Sequence, residues 1–255
     1  MIPIPAETNA FGGILPDPGQ LRFEPRAFAD QLRASLDIWR GEYRVVWLEI
    51  PQRQAALVPV AVELGFDFHH CGDAYLMLTH RLDPEAFVPG FATHYIGAGG
   101  VVLNDRGELL VVSERYHRRA GPPRYKMPGG ALHPAEHLSE AVVREVLEET
   151  GVRTRFEALI CFRHWHGYRH GKSDIYFICR LRPLSAEISI QEEEITEARW
   201  MPVGDYLADE NASDFNKEIV RAATSSSGLE RVEIEGYGDA DRYEIFMPVE
   251  EEVSH

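Results

Sequence analysis

An α/β fold in two successive units is what this sequence predicts, and three observations carry the prediction. Helix-period and strand-period hydrophobic runs alternate over the first ninety or so residues. The pattern breaks at a proline- and glycine-bearing stretch, 81–93. A second alternation follows, centred on an amphipathic helix over 135–150 with strand-like runs before and after it.

In the first unit, 1–90, a helix is predicted over 25–39 and a strand over 43–50. A second helix opens at Pro51, where proline suits a first turn, kinks at Pro59 and stops at Gly65. Strands over 66–70 and 74–80 flank the turn Cys71-Gly72-Asp73. The second unit, 94–226, begins with THYIGAGGVVLND, a turn at 105–107 and the return strand ELLVVSER, which read as a hairpin. Glycines 97, 99 and 100 invite a dinucleotide-loop reading, but Val102 stands where the third glycine belongs and strand-like residues follow, so a close-packed strand is expected. In the 135–150 helix, Leu138, Val142 and Val146 form one apolar stripe and Gly151 takes the C-terminal position. Strands are expected over 153–165, 174–181 and 198–201, and a polar helix over 211–223. The last segment, 227–255, carries RVEIEG, a GDAD turn and RYEIFMP, read as a terminal hairpin.

Composition narrows the function classes. Apolar residues make up 44% and charged ones 26%, with no run long enough to span a bilayer and no secretory-type leader, so neither membrane nor export is expected and the assigned compartment is the cytoplasm. Three widely spaced cysteines, 71, 161 and 179, fit neither a disulfide framework nor a paired-cysteine zinc site. A formal charge of -15 argues against nucleic-acid binding, which draws on Lys and Arg, and an anionic substrate then needs a local basic patch.

The chemistry concentrates on the 135–150 helix. Glu145, Glu148 and Glu149 are three and four residues apart and are expected to share a patch opposite the apolar stripe. Such like charges repel, and oxygen donors of this kind suit Mg2+ or Mn2+. The alternative is a solvated acidic face with Arg144 paired to Glu148.

Residues 130–152, GALHPAEHLSEAVVREVLEETGV, match the Nudix box Gly-x5-Glu-x7-Arg-Glu-U-x-Glu-Glu-x-Gly-U, with U apolar, at every position: Gly130, Glu136, Arg144, Glu145, Val146, Glu148, Glu149, Gly151 and Val152. The chain thus resembles the Nudix family. Further resembling segments, VWLEIP, ALVPVAVELGFDFHH, YLML, KMPGG, KSDIYFICRLRPLS and EITEARWMP, extend over 40–210 and point to plant and animal Nudix proteins with an extra N-terminal domain, among which ADP-ribose and NADH pyrophosphatases are known. The resemblance implies an α/β/α Nudix sandwich with a mixed sheet, preceded by a small α/β domain similar to half of an acetyltransferase fold. It implies that Glu145, Glu148 and Glu149 hold Mg2+ or Mn2+, with the Gly130 carbonyl assisting, and that Arg144 orients the carboxylates. The reaction implied is in-line attack of water on phosphorus, with Glu149 or Glu145 as base. A later loop supplies a further carboxylate in the family; Glu192, Glu193 and Glu194 are the candidates, Glu194 preferred. A homodimer is expected on the same ground, with the N-terminal unit building it or roofing the pocket.

ADP-ribose or NADH, giving AMP, is the expected substrate. Two departures stand against it: the SQPWPFPxS array of one NADH-hydrolysing group is missing, and so is a proline downstream of the box found in ADP-ribose enzymes. Tyr168 stands near that place, similar to dinucleoside polyphosphate hydrolases. Coenzyme A, dinucleoside polyphosphates, non-standard nucleoside triphosphates and a non-catalytic nucleotide-sensing module are the alternatives. In FRHWHGYRHGK, 162–172, Phe162 or Trp165 is expected to stack on the base while Arg163 and Lys172 meet phosphate; the alternative is a strand end with a solvated loop. Histidines 164, 166 and 170 raise a transition-metal reading that their spacing does little to support. Arg115, Arg118, Arg119, Arg124 and Lys126 form a second basic group, suited to steering phosphates.

Overall fold

In the computed structural model, which describes residues 2–115, 122–236, 239 and 242–248, the chain divides into the units Met1–Thr93 and His94–His255. The first holds a five-stranded sheet in the order β1 (Ala6–Thr8), β2 (Gly13–Pro16), β3 (Val45–Pro51), β5 (Tyr75–Arg81), β4 (Asp67–Cys71). Helix α1 (Pro25–Trp39) starts where Glu24 accepts the Ala27 amide and Pro25 fills the first turn. Phe28, Leu32, Leu36 and Trp39 make its buried stripe, which shares a core with Val46, Leu48 and Ile50 of β3. Each such side chain contributes about 1.5–3 kcal/mol on burial.

The helix expected from Pro51 is displaced. Pro51 ends β3, a 3-10 segment Gln52–Leu57 follows, and α2 (Val58–Glu63) restarts with Pro59 in its first turn. Gln54, at φ -112, interrupts the helical path and donates to the Leu21 carbonyl. Proline lacks the donor that a continuous helix requires, so the chain uses Pro59 as a starter instead.

The second unit contains a four-stranded mixed sheet, β8 (Gly129–Ala131), β6 (His94–Val102), β10 (Ser173–Pro183), β9 (Thr154–Trp165), with only β6 and β10 parallel. A two-stranded sheet pairs β7 (Glu108–Glu114) with β11 (Ile195–Pro202). Neighbouring residues of β6 point to opposite cores, as strand geometry requires. Val102 packs with Val142 and Val146 of α3 (Leu138–Thr150), whereas Val101 packs with Tyr206 of α4 (Val203–Ala208) and Ile219 of α5 (Asp214–Ser225). The sheet therefore lies between helices on both faces, the α/β/α arrangement expected.

Helix α3 begins at Leu138 rather than at residue 135. Ala135 has φ 62, and Glu136 turns back to accept the His133 amide, so 133–136 form a turn ahead of the helix. Gly151 closes α3 in the left-handed conformation, φ 71, its amide bonded to Leu147. The glycine-bearing strand is β6, not a phosphate loop: a Cβ on Gly100 would come within 2.5 Å of Leu181 and 2.9 Å of Val146, so glycine lets α3 approach. The described part of the C-terminal segment pairs β12 (Glu230–Val232) with β13 (Ile245–Met247). Glu244 bonds the hydroxyl and amide of Ser139 in the first turn of α3, at the far end of that helix from Glu149. Among the described residues no helix is long and apolar enough to cross a membrane.

Candidate active site

The three glutamates of α3 occupy three different environments. Glu149 is only 5% exposed, and its Oε2 accepts the Gly129 amide at 3.1 Å. This corrects the expectation that all three acids lie opposite the apolar stripe. Seven residues rotate a helix almost full circle twice, leaving Glu149 only about 20° from Val142, on the buried side. Burial pushes its carboxyl up to about 7; Lys126 and the Gly129 amide oppose the rise, and the charges of Glu145 and Glu114 add to it.

Arg144 gathers the others. Its Nε and Nη2 donate to the two oxygens of Glu136 at 2.6 and 2.8 Å, its Nη1 to Glu145 Oε1 at 2.9 Å and Glu148 Oε2 at 3.0 Å, and Nη2 also reaches the Ala131 carbonyl at 3.3 Å. The bidentate hydrogen bonds hold the Glu136 carboxyl down at about 2. The pairing of Arg144 with Glu148, which belonged to the alternative reading of a solvated acidic face, is thus one arm of a hub that also fixes Glu145. One oxygen of each remains outside these bonds: Glu145 Oε2, Glu148 Oε1 and Glu149 Oε1. Gly130 pairs with Ala98 in the β6/β8 ladder, and a Cβ there would stand 2.5 Å from Glu145 Oε2, so glycine lets that carboxylate lie against the backbone.

Such carboxylate oxygens fit a hard divalent cation that keeps waters and shares substrate oxygens. Among the described residues no three carboxylate, histidine or cysteine groups are gathered closely enough to enclose an ion. The histidines form no such group among the described residues: His164 meets His94 at 3.0 Å between Nε2 atoms, and His166 bonds Ser173, without a third ligand converging.

Two residues missed in the sequence stand beside the glutamates. Glu114, at the end of β7, pairs with Lys126, and Tyr176 of β10 lies with its hydroxyl beneath Gly99 and Gly129. Burial, then Glu149, Glu145 and Glu114, raise the Tyr176 phenol well above its ordinary value. Neither residue belongs to a contiguous motif; strand pairing brings them in. Glu194 precedes β11, its carbonyl accepting the Arg115 amide at 2.7 Å, while its exposed side chain has no hydrogen bond or ion pair among the described residues. The loop before it is tied to the end of α3 by Ser189 to Thr150 and Gln191 to Glu149 backbone bonds.

Two clefts adjoin. One, of about 560 Å³, is lined by Glu114, Arg124, Tyr125, Lys126 and Asn216; the other, of about 200 Å³, by Gly99, Lys126, Arg163, Tyr176 and Phe215. Of the expected grouping Phe162, Arg163, Trp165 and Lys172, Arg163 and Trp165 come together, whereas Phe162 and Lys172 turn to other partners. Successive residues of β9 face opposite sides, so Phe162 pairs with Phe177 at 5.8 Å while Arg163 turns toward the cleft. Arg163 binds Asp174 at 2.5 Å and lies 5.4 Å from the Trp165 ring, 5.6 Å from Tyr176 and 5.9 Å from Phe215. Lys172 sits over the Tyr95 ring at 5.4 Å. In the second basic group Arg115 donates to the Glu192 carbonyl at 2.8 Å, and Arg118 and Arg119 lie outside the described residues.

Comparison with known proteins finds matches to both units. A family model described as Nudix hydrolase domain matches residues 4–82, and one described as NUDIX domain matches 93–223. Nudix hydrolase 8 of Arabidopsis thaliana is 43% identical over 205 residues, 79% of this chain and 56% of that protein, so the match spans little over half the length of that relative. Nucleoside diphosphate-linked moiety X motif 6 of Homo sapiens is 35% identical over 224 residues, 84% of this chain and 70% of the relative. Among solved structures, the MutT protein from Methanosarcina mazei Go1 superposes with a TM-score of 0.43 at 22% identity, covering 51% of this chain and 93% of that one. On the family matches and these identities, the chain belongs to the Nudix hydrolase family.

Proposed function

We propose that this protein hydrolyses the phosphoanhydride bond of a nucleoside diphosphate derivative with the help of Mg2+ or Mn2+, and that ADP-ribose or NADH is its substrate, yielding AMP and the other phosphate-bearing half. The observation that carries the reading is the division of labour around Arg144 and Gly129: each of Glu145, Glu148 and Glu149 is held by one oxygen and offers the other. A bound divalent cation would supply charge neutralisation of the diphosphate and acidification of the attacking water. Glu145, Glu148 and Glu149 would hold it, with the Gly130 carbonyl as a further donor. Arg144 fixes two of these carboxylates, so they need not reorganise as the reaction proceeds. Glu149 and Glu145 are the groups placed to take the proton of the water, and Glu194 is the carboxylate its loop would bring to them. Trp165 is the aromatic candidate for the base and Arg163, which lines the smaller cleft beside it, the cationic one for phosphate, whereas Phe162 and Lys172 line neither cleft.

The test is incubation with Mg2+ or Mn2+ and a panel of ADP-ribose, NADH, coenzyme A, diadenosine polyphosphates and nucleoside triphosphates, with products separated by chromatography. AMP appearing fastest from ADP-ribose or NADH, and lost with EDTA, supports the reading. Preference for another member overturns the substrate; nucleotide binding without turnover overturns the enzyme. We also assign a cytoplasmic homodimer, as the family resemblance implies; a monomeric mass by light scattering contradicts the dimer, and fractionation tests the compartment.

A further inference from the structure

Lys126 stands at the junction of the glutamates and both clefts. Its backbone is fixed by reciprocal bonds with Val112 of β7, at 2.9 and 3.0 Å. Its ammonium pairs with Glu114, and it lines the 560 Å³ and the 200 Å³ clefts alike. Arg144 has its guanidinium engaged by three carboxylates and a carbonyl, so the substrate's phosphate charge falls to another cation.

The side chains of Lys126 and Glu114 are 30% and 27% exposed. Water reaches both charges of such a part-exposed pair, so either partner can exchange for a better ligand. A doubly ionised diphosphate offers the ammonium more charge and more acceptor oxygens than one carboxylate does. We infer that the Lys126–Glu114 ion pair is an exchangeable phosphate latch, in which Lys126 leaves Glu114 to bind a phosphate oxygen of the diphosphate lying between the glutamates and the clefts. The inference rests on the diphosphate reading above, but not on which nucleoside is attached. Lys126 is then a substrate-binding residue, and Glu114 holds its ammonium pointed at the site until substrate arrives.

A latch and a structural salt bridge differ in sign. If the pair only braces the fold, removing either partner harms binding in the same direction. If it is a latch, the two removals act oppositely, since Glu114 competes with the ligand for Lys126. The experiment is calorimetric titration of the full chain with inorganic pyrophosphate at constant Mg2+, for the wild type, Lys126→Gln, Glu114→Gln, the double variant and Lys126→Arg, with thermal melts as the folding control. Lys126→Gln is expected to weaken pyrophosphate about ten-fold or more, the scale of a charged hydrogen bond. Glu114→Gln is expected to tighten it about three-fold, the scale of a part-exposed ion pair. The double variant should follow Lys126→Gln, and Lys126→Arg should bind within a few-fold of wild type. Weakening by both single variants, no change in Lys126→Gln, or no pyrophosphate binding by the folded wild type overturns the latch. Opposite signs with no hydrolysis across the substrate panel would remove the hydrolase reading and leave the latch standing.

Discussion

Glu149 and Gly129, twenty residues apart in sequence, meet through a 3.1 Å hydrogen bond from the glycine amide to the carboxylate. The bond fixes a buried acid at the C-terminal end of α3 against the strand that carries Gly130, and so sets the distance between the two halves of the box. It also divides what Glu149 does for the fold from what it does for chemistry. A glutamine carbonyl can accept the same amide, but it carries no charge for a cation and takes no proton. Glu149→Gln is therefore expected to lower kcat at least about a hundred-fold, the scale of a lost general base, while the melting temperature of the metal-free protein holds or rises. Steady-state kinetics and a thermal melt check both halves; a large fall in stability would show that the charge itself is structural.

The neighbouring glycines should fail in different ways. At Gly129, φ is 151 and a Cβ would stand 2.2 Å from the Ala98 carbonyl, so Gly129→Ala strikes backbone that cannot give and is expected to destabilise the fold by about 2–4 kcal/mol. At Gly130 the clash is with the Glu145 carboxylate at 2.5 Å, the movable end of a side chain. Gly130→Ala should keep most of the stability and lose activity, because Glu145 is pushed from its place. Urea denaturation alongside hydrolysis assays separates the two; equal stability losses would contradict this account.

Glu136 makes a prediction about acid. Its carboxyl ionises at about 2 in the folded protein against an ordinary 4.5, chiefly because of the hydrogen bonds from Arg144. A lowered pKa stabilises the fold above the unfolded value and is lost as pH falls through the folded one. The contribution, about 3 kcal/mol at most, is whole at pH 7 and shrinks between 4.5 and 2. Urea unfolding of the wild type and Glu136→Gln should show a gap at pH 7 that narrows at pH 3. A gap independent of pH would mean that Arg144 binds Glu136 through shape rather than charge.

What the sequence disclosed followed from local pattern. Helix α1 reads directly from its buried stripe at Phe28, Leu32, Leu36 and Trp39, and the box residues from their fixed spacing on α3. The short strands β1, β2 and β8 did not announce themselves, since runs of three or four residues carry no periodicity and exist only through their partners. Glu114 and Tyr176 were missed for the same reason: their place beside Glu149 comes from β7 and β10 meeting elements distant in sequence. The burial of Glu149 was legible, from its seven-residue spacing to Val142, but the count of like charges drew attention to the exposed side instead.

Arg163 and Lys172 entered the sequence reading as equals, and the structure parts them. Arg163 lines the cleft beside Lys126 and Tyr176, braced by the buried carboxylate of Asp174, whereas Lys172 lies over Tyr95. A guanidinium so held loses little freedom when it meets a substrate, so its contacts add to affinity with small entropic cost. Arg163→Gln is expected to raise KM about ten-fold, the loss of one charge-assisted hydrogen bond, with kcat changed much less. Lys172→Gln should leave KM within about two-fold, since Lys172 lies over Tyr95 and lines neither cleft, so it acts on the substrate only through screened charge. Because Arg163→Gln also leaves Asp174 without its partner, the comparison needs Asp174→Asn as a control: if that substitution alone reproduces the KM effect with the melt unchanged, Arg163 needs its brace to act. If Lys172→Gln raises KM as much as Arg163→Gln does, the substrate's charge extends beyond the cleft and the assignment of that cleft to the substrate is wrong.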